Sequence, residues 1–174
     1  LAERLNGSSR LKFSSDGQTF AGGCGFMSTA LCLVDIGSPL MPRVKVVADS
    51  SGVGDAAFRW DGKMIATAGG ERLIWLWDLT SEPRKHPEPL RGHIGQIRDV
   101  MFSPNGKLLS SVAYSDRPIR IWDVEKSGVF DAVLKGNRTT VTAMAFSGDS
   151  KIFVSGADDG LIVLWDLSET SWRE

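Results

Sequence analysis

Residues 89–124 read PLRGHIGQIRDVMFSPNGKLLSSVAYSDRPIRIWDV. A Gly92-His93 pair is followed by an apolar run of period two at Val100 and Phe102, which Ser103-Pro104-Asn105-Gly106 interrupts. A second apolar run starts at Leu108-Leu109, and a third, with Ile119 and Ile121, closes on Trp122-Asp123. Alternation bounded by Pro, Asn and Gly predicts successive strands of a small antiparallel meander. The same order of features recurs three more times in degraded form, so the chain reads as an array of repeats.

Two registers define the array. Val34-Asp35, Trp77-Asp78, Trp122-Asp123 and Trp165-Asp166 place their aspartates 43, 45 and 43 residues apart. Phe13, Phe58, Phe102 and Phe146 follow at spacings of 45, 44 and 44. The repeats therefore cover about 1–38, 44–80, 90–125 and 133–168. After each phenylalanine comes turn chemistry: Ser15-Asp16-Gly17, Trp60-Asp61-Gly62, Ser103 to Gly106, and Gly148-Asp149-Ser150. Asx followed by Gly supplies the positive φ of a tight hairpin, and Ser150 makes the fourth hairpin slightly less favourable. No stretch shows helical periodicity with caps, which predicts an all-β chain. Loops are expected at Gly37–Arg43, Thr80–Pro89 and Glu125–Phe130. Pro83, Pro87 and Pro89 disfavour ladder pairing in the second of these and suit an exposed edge.

Composition narrows the function. With 174 residues, 42% hydrophobic and 24% charged, the chain is of ordinary globular make-up. A formal net charge of -1 leaves no basic excess for nucleic acid or anionic membrane. Arg84-Lys85-His86, the densest basic cluster, reads as a solvated loop. No apolar run approaches a membrane span. Cys24 and Cys32 have no second pair beside them, so they are expected to be buried free thiols, neither a disulfide framework nor a zinc site. Ala21-Gly22-Gly23-Cys24-Gly25 neither ends in Gly-Lys-Ser/Thr nor opens a helix, so it is not a phosphate loop. Asp158-Asp159 sits at a tight turn, where Asp159 is structural and no metal pair is needed. No nucleophile motif surrounds any Ser or Cys, and neither cofactor, metal nor catalytic residue is expected. A first residue of Leu in place of Met suggests a processed chain or a piece of a longer one.

These repeats resemble the WD40 repeats of β-propellers. The third follows the pattern from Gly92-His93 to Trp122-Asp123. The fourth carries Gly136-Asn137, Val141, Phe146, Ser155-Gly156, Asp159 and Trp165-Asp166. The second carries Val53, Phe58, Thr67, Glu71 and Trp77-Asp78, with Asp49 at the histidine position, and the first is the weakest. The resemblance implies about four blades of a ring that closes with seven or eight, the rest coming from the same longer chain or another subunit. It also implies a hydrogen-bonded set inside the third blade made of His93, Ser111, Asp116 and Trp122. An imidazole between a carboxylate and a hydroxyl satisfies every buried polar atom, which makes these residues architecture. The fourth set, with Asn137, is incomplete or rewired. One extra residue between Ser111 and Asp116 suggests a bulge near Tyr114. Trp77, Trp122 and Trp165 are expected to pack between blades, while Trp60 is open to either a contact or a packing role.

Family structures place partner contacts on the narrow top face. Carried over, these are Gln96 and Arg98 around Ile97 with Ser115, Thr140 and Thr142 around Val141 with Asp158, Gly52 and Gly54 around Val53 with Gly70, and Met27 in the first repeat. Arg98 is the expected anchor, or else it pairs with Asp99 or Asp116. The expected function is a non-catalytic protein–protein interaction scaffold, a subunit or domain of a larger complex inside the cell, cytoplasmic or nuclear. The alternative is a regulatory or sensor propeller controlling an attached effector enzyme.

Overall fold

Each phenylalanine-turn-apolar segment folds as a hairpin, and the run before each Trp-Asp or Val-Asp pair adds a third strand. The structure is a computed structural model that describes residues 11–24, 30–37, 43–48, 52–126 and 129–168. Four antiparallel sheets follow in chain order. The first holds β1 (Lys12–Phe13), β2 (Thr19–Cys24), β3 (Ala30–Asp35) and β4 (Arg43–Ala48). The second holds β5 (Asp55–Phe58), β6 (Met64–Ala68), β7 (Ile74–Asp78) and β8 (Arg84–Lys85). The third holds β9 (Ile97–Phe102), β10 (Leu108–Ala113), β11 (Asp116–Asp123) and β12 (Val129–Leu134). The fourth holds β13 (Val141–Phe146), β14 (Ile152–Ala157) and β15 (Ile162–Asp166). Each sheet is a meander, and no helix occurs among the described residues.

The repeats and the sheets are out of phase by one strand. β4 falls within repeat 44–80 yet pairs with β3, and repeat 133–168 opens inside β12, which pairs with β11. Local periodicity shows where strands lie but not which free edge they join. The Thr80–Pro89 loop likewise contains β8, whose two residues pair with Trp77 and Asp78. It lies between Pro83 and Pro87 at the sheet edge, where few ladder donors are required. The other two loops also lose their ends to strands, at Arg43 and Val129.

Turn residues take the conformations their chemistry allows. Gly17, Gly62 and Gly106 have φ of 67–72°, and Ser150 adopts 62° without glycine's freedom. Its hydroxyl accepts a hydrogen bond from Asn105 N at 3.0 Å, tying the fourth hairpin to the third. A register shift between Ser111 and Ala113 provides the extra residue before Asp116.

Three cores lie between consecutive sheets. Trp77 packs with Ala21, Leu31, Leu33 and Ile65 between the first and second. Trp122 packs with Ala66, Ile74, Leu76 and Leu109 between the second and third. Trp165, only partly buried, packs against Ile119, Ile121, Leu134 and Phe153 between the third and fourth. Burying each ring and its aliphatic partners removes apolar surface from water at about 25 cal/mol per Å².

The expectation of free thiols is overturned, because Cys24 and Cys32 form a disulfide. Cys24 lies opposite Ala30 and Cys32 opposite Gly22. The two are thus diagonal neighbours on one face of a hairpin, with Cα atoms 5.8 Å apart, which a disulfide spans. Searching for a multi-pair framework overlooks a pair that a single hairpin brings together.

Candidate functional site

One end of the sheets carries the loops into β5, β9 and β13 and the turns β6–β7, β10–β11 and β14–β15. Backbone bonds join the two sets: Gly54 N to Ala68 O, Tyr114 N to Gln96 O, and Asp158 N to Thr140 O. At Gly95 the loop passes so close to the turn that an added Cβ would sit 1.6 Å from Tyr114 O.

Beneath this end the third sheet holds a closed chain of polar groups. His93 Nδ1 lies 2.7 Å from Asp116 Oδ2, and His93 Nε2 lies 2.7 Å from Ser111 Oγ. Trp122 Nε1 donates to Ser111 Oγ at 2.8 Å, so the hydroxyl donates onward to the imidazole. This order requires the Nδ1–H tautomer, which donates to the carboxylate. Asp116 also accepts from Ile94 N, with Arg120 Nε 3.7 Å away. Burial pushes the His93 imidazole down to about 4 against the opposing pull of Asp116, so it is neutral near pH 7. All four residues are buried. The set resembles an acid–base–hydroxyl triad in composition, but its imidazole and hydroxyl are buried and bonded to one another, and of the three only Asp116 borders the open end of the sheet.

The other sheets hold partial versions. Trp77 Nε1 donates to Thr67 Oγ1 at 2.9 Å, while Asp49 lies outside the described residues. In the fourth sheet Asn137 Nδ2 donates to Ser155 Oγ at 3.0 Å and Trp165 Nε1 reaches the same oxygen at 3.2 Å. Asp159 Oδ1 accepts instead from Leu161 N, within its own turn. The amide therefore reaches the serine without a carboxylate behind it.

The contact residues carried over from the resemblance fare differently. Gln96, Ser115, Thr140, Thr142, Asp158 and Gly70 are exposed, and Gly52 and Gly54 are half-buried. Thr142 Oγ1 is engaged with Gly156 O, and Met27 lies outside the described residues. Arg98 follows neither expectation in full. Its guanidinium donates to Val141 O at 2.7 Å and Thr142 O at 3.4 Å, binding the third sheet to the fourth. Its partners lie 43 and 44 residues away, beyond any local reading. Trp60 is 59% exposed, and its ring lies against the hairpin at Gly106 of the next sheet.

Between the third and fourth sheets this end opens into a pocket of about 350 Å³ lined by Ala113, Ser115, Asp116, Arg138, Thr139 and Thr140. Arg138, Thr139 and the exposed Tyr114 and Ile94 beside it were not among the residues carried over. The composition of Lys135-Gly136-Asn137-Arg138, two cations around an anchored asparagine, is the signal available for the first of these.

Two further polar features stand apart from the buried set. Asp55 is fully buried, accepts from Val100 N at 3.0 Å and lies 3.7 Å from Lys12 Nζ. Burial pushes its carboxyl up to about 7 against the pull of Lys12. The aspartate that ends each repeat caps a turn: Asp78 Oδ1 accepts from Thr80 N, Asp123 Oδ1 from Glu125 N, and Asp166 Oδ1 from Ser168 N. No group of three or more His, Cys, Asp or Glu gathers among the described residues.

A profile of the family described as "WD domain, G-beta repeat" matches residues 42–78, 84–123 and 128–166. WD repeat and SOCS box-containing protein 1 of Danio rerio is 31% identical over 112 residues, covering 64% of this chain and 26% of that protein. WD repeat, SAM and U-box domain-containing protein 1 of Danio rerio is 31% identical over 115 residues, or 66% and 23%. Transcriptional corepressor LEUNIG_HOMOLOG of Arabidopsis thaliana is 29% identical over 119 residues, or 67% and 15%. The chain thus spans roughly a quarter of these relatives or less.

Proposed function

This chain belongs to the WD40 repeat family, and we propose that it is a non-catalytic scaffold holding protein partners within a larger complex. The observation that carries this reading is the contrast between its two kinds of polar residue. Those with the chemistry to react, His93, Ser111 and Asp116, are buried and bonded to one another. Those at the open end of the sheets, Gln96, Ser115, Thr140 and Asp158, are exposed, and Ser115 and Thr140 line a pocket there. Membership of a family built for protein–protein interaction supports the assignment, and the partner surface we propose is this end. The missing blades of the ring come from the same longer chain or from another subunit. Support for that comes from Ile162 and Leu164, which lie bare on the fourth sheet.

A second reading, a regulatory propeller governing an attached effector, draws on two relatives whose names join WD repeats to a SOCS box or to SAM and U-box domains. We place the protein inside the cell, in cytoplasm or nucleus. The Cys24–Cys32 disulfide stands against that placement, since reducing compartments disfavour such bonds. Alkylation of the protein as it comes from cells decides between the two: cysteines that stay blocked after unfolding keep the disulfide and count against the placement, and two reactive thiols would keep the placement. The functional reading is tested by purifying the full-length protein under native conditions and identifying stoichiometric partners. Stable partners lost on changes at Ser115 and Thr140, with His93→Ala acting only through stability, are expected. A turnover that survives in folded His93→Ala protein but vanishes with top-face changes would overturn the scaffold.

A further inference from the structure

The segment between β12 and β13 carries Lys135 and Arg138, both exposed. It separates two hollows. One is the pocket bounded by Ser115, Thr139 and Thr140, and the other, of about 380 Å³, is bounded by Pro118, Lys135 and Asn137, with Arg138 lining both. Asn137 is buried and tied to Ser155, so the backbone between the two cations is held in place while their head groups project.

The other charges nearby are accounted for. Asp116 is occupied by His93, Ile94 N and Arg120. The Asp159 carboxylate serves its own turn, and Arg98 is spent on the carbonyls of β13. Asp158 is exposed, its N–H bonded to Thr140 O. Neither Lys135 nor Arg138 has an ion pair or hydrogen bond among the described residues. On the other side of the pocket Ile94, whose N–H bonds to Asp116, is 67% exposed, and Tyr114, between the lining residues Ala113 and Ser115, is 51% exposed, its ring 6.0 Å from the Arg98 guanidinium. Exposed aromatic and arginine side chains at a concave site are the make-up of an interaction hot spot.

The geometry points to this groove as the seat of an acidic segment of a partner protein, with a carboxylate on Arg138, a second anion toward Lys135 and an apolar side chain against Tyr114 and Ile94. A guanidinium fork matches a carboxylate with two parallel hydrogen bonds, which gives direction as well as attraction. The hydroxyls of Ser115 and Thr140 are placed to accept and donate along the segment's backbone. This inference rests on the scaffold reading and narrows it to one groove and one partner chemistry.

The test uses the full chain and a short labelled peptide of alternating glutamate and leucine, beside its glutamine counterpart, followed by fluorescence anisotropy. The glutamate peptide should bind about tenfold more tightly than the glutamine peptide at low salt. Arg138→Glu should abolish that preference with an unchanged melting temperature, Lys135→Glu should weaken it, and Arg138→Lys should retain part of it. Lys63→Glu, in the hairpin at the opposite end of the second sheet, should leave it intact. Equal affinity for the two peptides, or an equal loss from Lys63→Glu, would overturn the groove. Partners of the full-length protein that remain bound to Arg138→Glu would likewise sink the groove while leaving the scaffold standing, whereas absence of partners would sink the scaffold.

Discussion

Ile119 and Ile121 on β11 are fully buried against the fourth sheet, whereas Ile162 and Leu164, in the same register on β15, are each 66% exposed. The two sheets share a template, and the residue types hardly differ. What differs is the neighbour. In β7 the corresponding Ile74 and Leu76 are also buried, because the third sheet covers them. Burial here is a property of stacking, so the exposed pair on β15 has the chemistry of a core whose other half is absent from these residues. The same two sheets differ inside: the third has a neutral imidazole between hydroxyl and carboxylate, and the fourth has an amide that reaches only the hydroxyl.

The widest gap is expected at the stacking faces. Ile121→Ala should destabilise the protein by about 3 kcal/mol, since it opens a cavity between sheets. Leu164→Ala should stay within about 0.5 kcal/mol, as exposed positions usually do. Denaturant unfolding of both variants reads the contrast, and equal losses would break it.

Titration sharpens the inner difference. Because the His93 pKa lies near 4 in the folded chain and 6.5 otherwise, the unfolded state binds the extra proton between those values. Stability conferred by the neutral imidazole is therefore complete above pH 6.5 and falls as pH drops toward 4, by on the order of 3 kcal/mol. Asp55 works in the opposite sense. With its pKa raised from 3.8 to about 7, the folded state keeps a proton the unfolded state has lost, and that stability declines as pH rises through this window. Urea midpoints across pH for His93→Asn and Asp55→Asn should each lose one of these slopes and keep the other.

Removing the ring altogether tests the networks directly. His93→Ala should cost about 2–3 kcal/mol, because Asp116 and Ser111 are left buried without their partner. Asn137→Ala should cost about 1 kcal/mol, for the bonds lost all go to the Ser155 hydroxyl, which keeps Trp165 Nε1 as a donor. A smaller loss at His93 than at Asn137 would reverse the ranking of the two sheets. Arg98→Glu should fall between the two, lowering stability by about 1–2 kcal/mol as its bonds to the carbonyls of Val141 and Thr142 are cut. An unchanged melting temperature would free Arg98 for the anchoring role its position suggested.

What could be read from the chain follows from how far each interaction reaches. The hairpins were legible because Phe102, Asn105-Gly106 and Leu109 lie within one turn of sequence. The buried set was legible only through resemblance, as His93 and Asp116 are 23 residues apart and nothing local couples them. The bonds of Arg98 to β13 and of Asp55 to Val100 N cross from one repeat to the next, and no periodicity within a repeat reveals them. The phase between repeat and sheet was hidden for the same reason, since β4 and β12 are assigned by the free edge they meet. The capping role of Asp78 and Asp166 was within reach: an aspartate two residues before Thr80 or Ser168 is the pattern of an Asx turn.

Everything rests on the polar groups inside the third sheet being structural. The most direct check is the pH titration of the His93 imidazole by NMR in the intact protein, resolved from His86. A midpoint near 4, with the proton held on Nδ1 throughout the neutral range, is what the buried chain from Asp116 to Trp122 demands. A midpoint near 6.5 with both nitrogens exchanging freely with water would mean that the ring is open to solvent, and would contradict it.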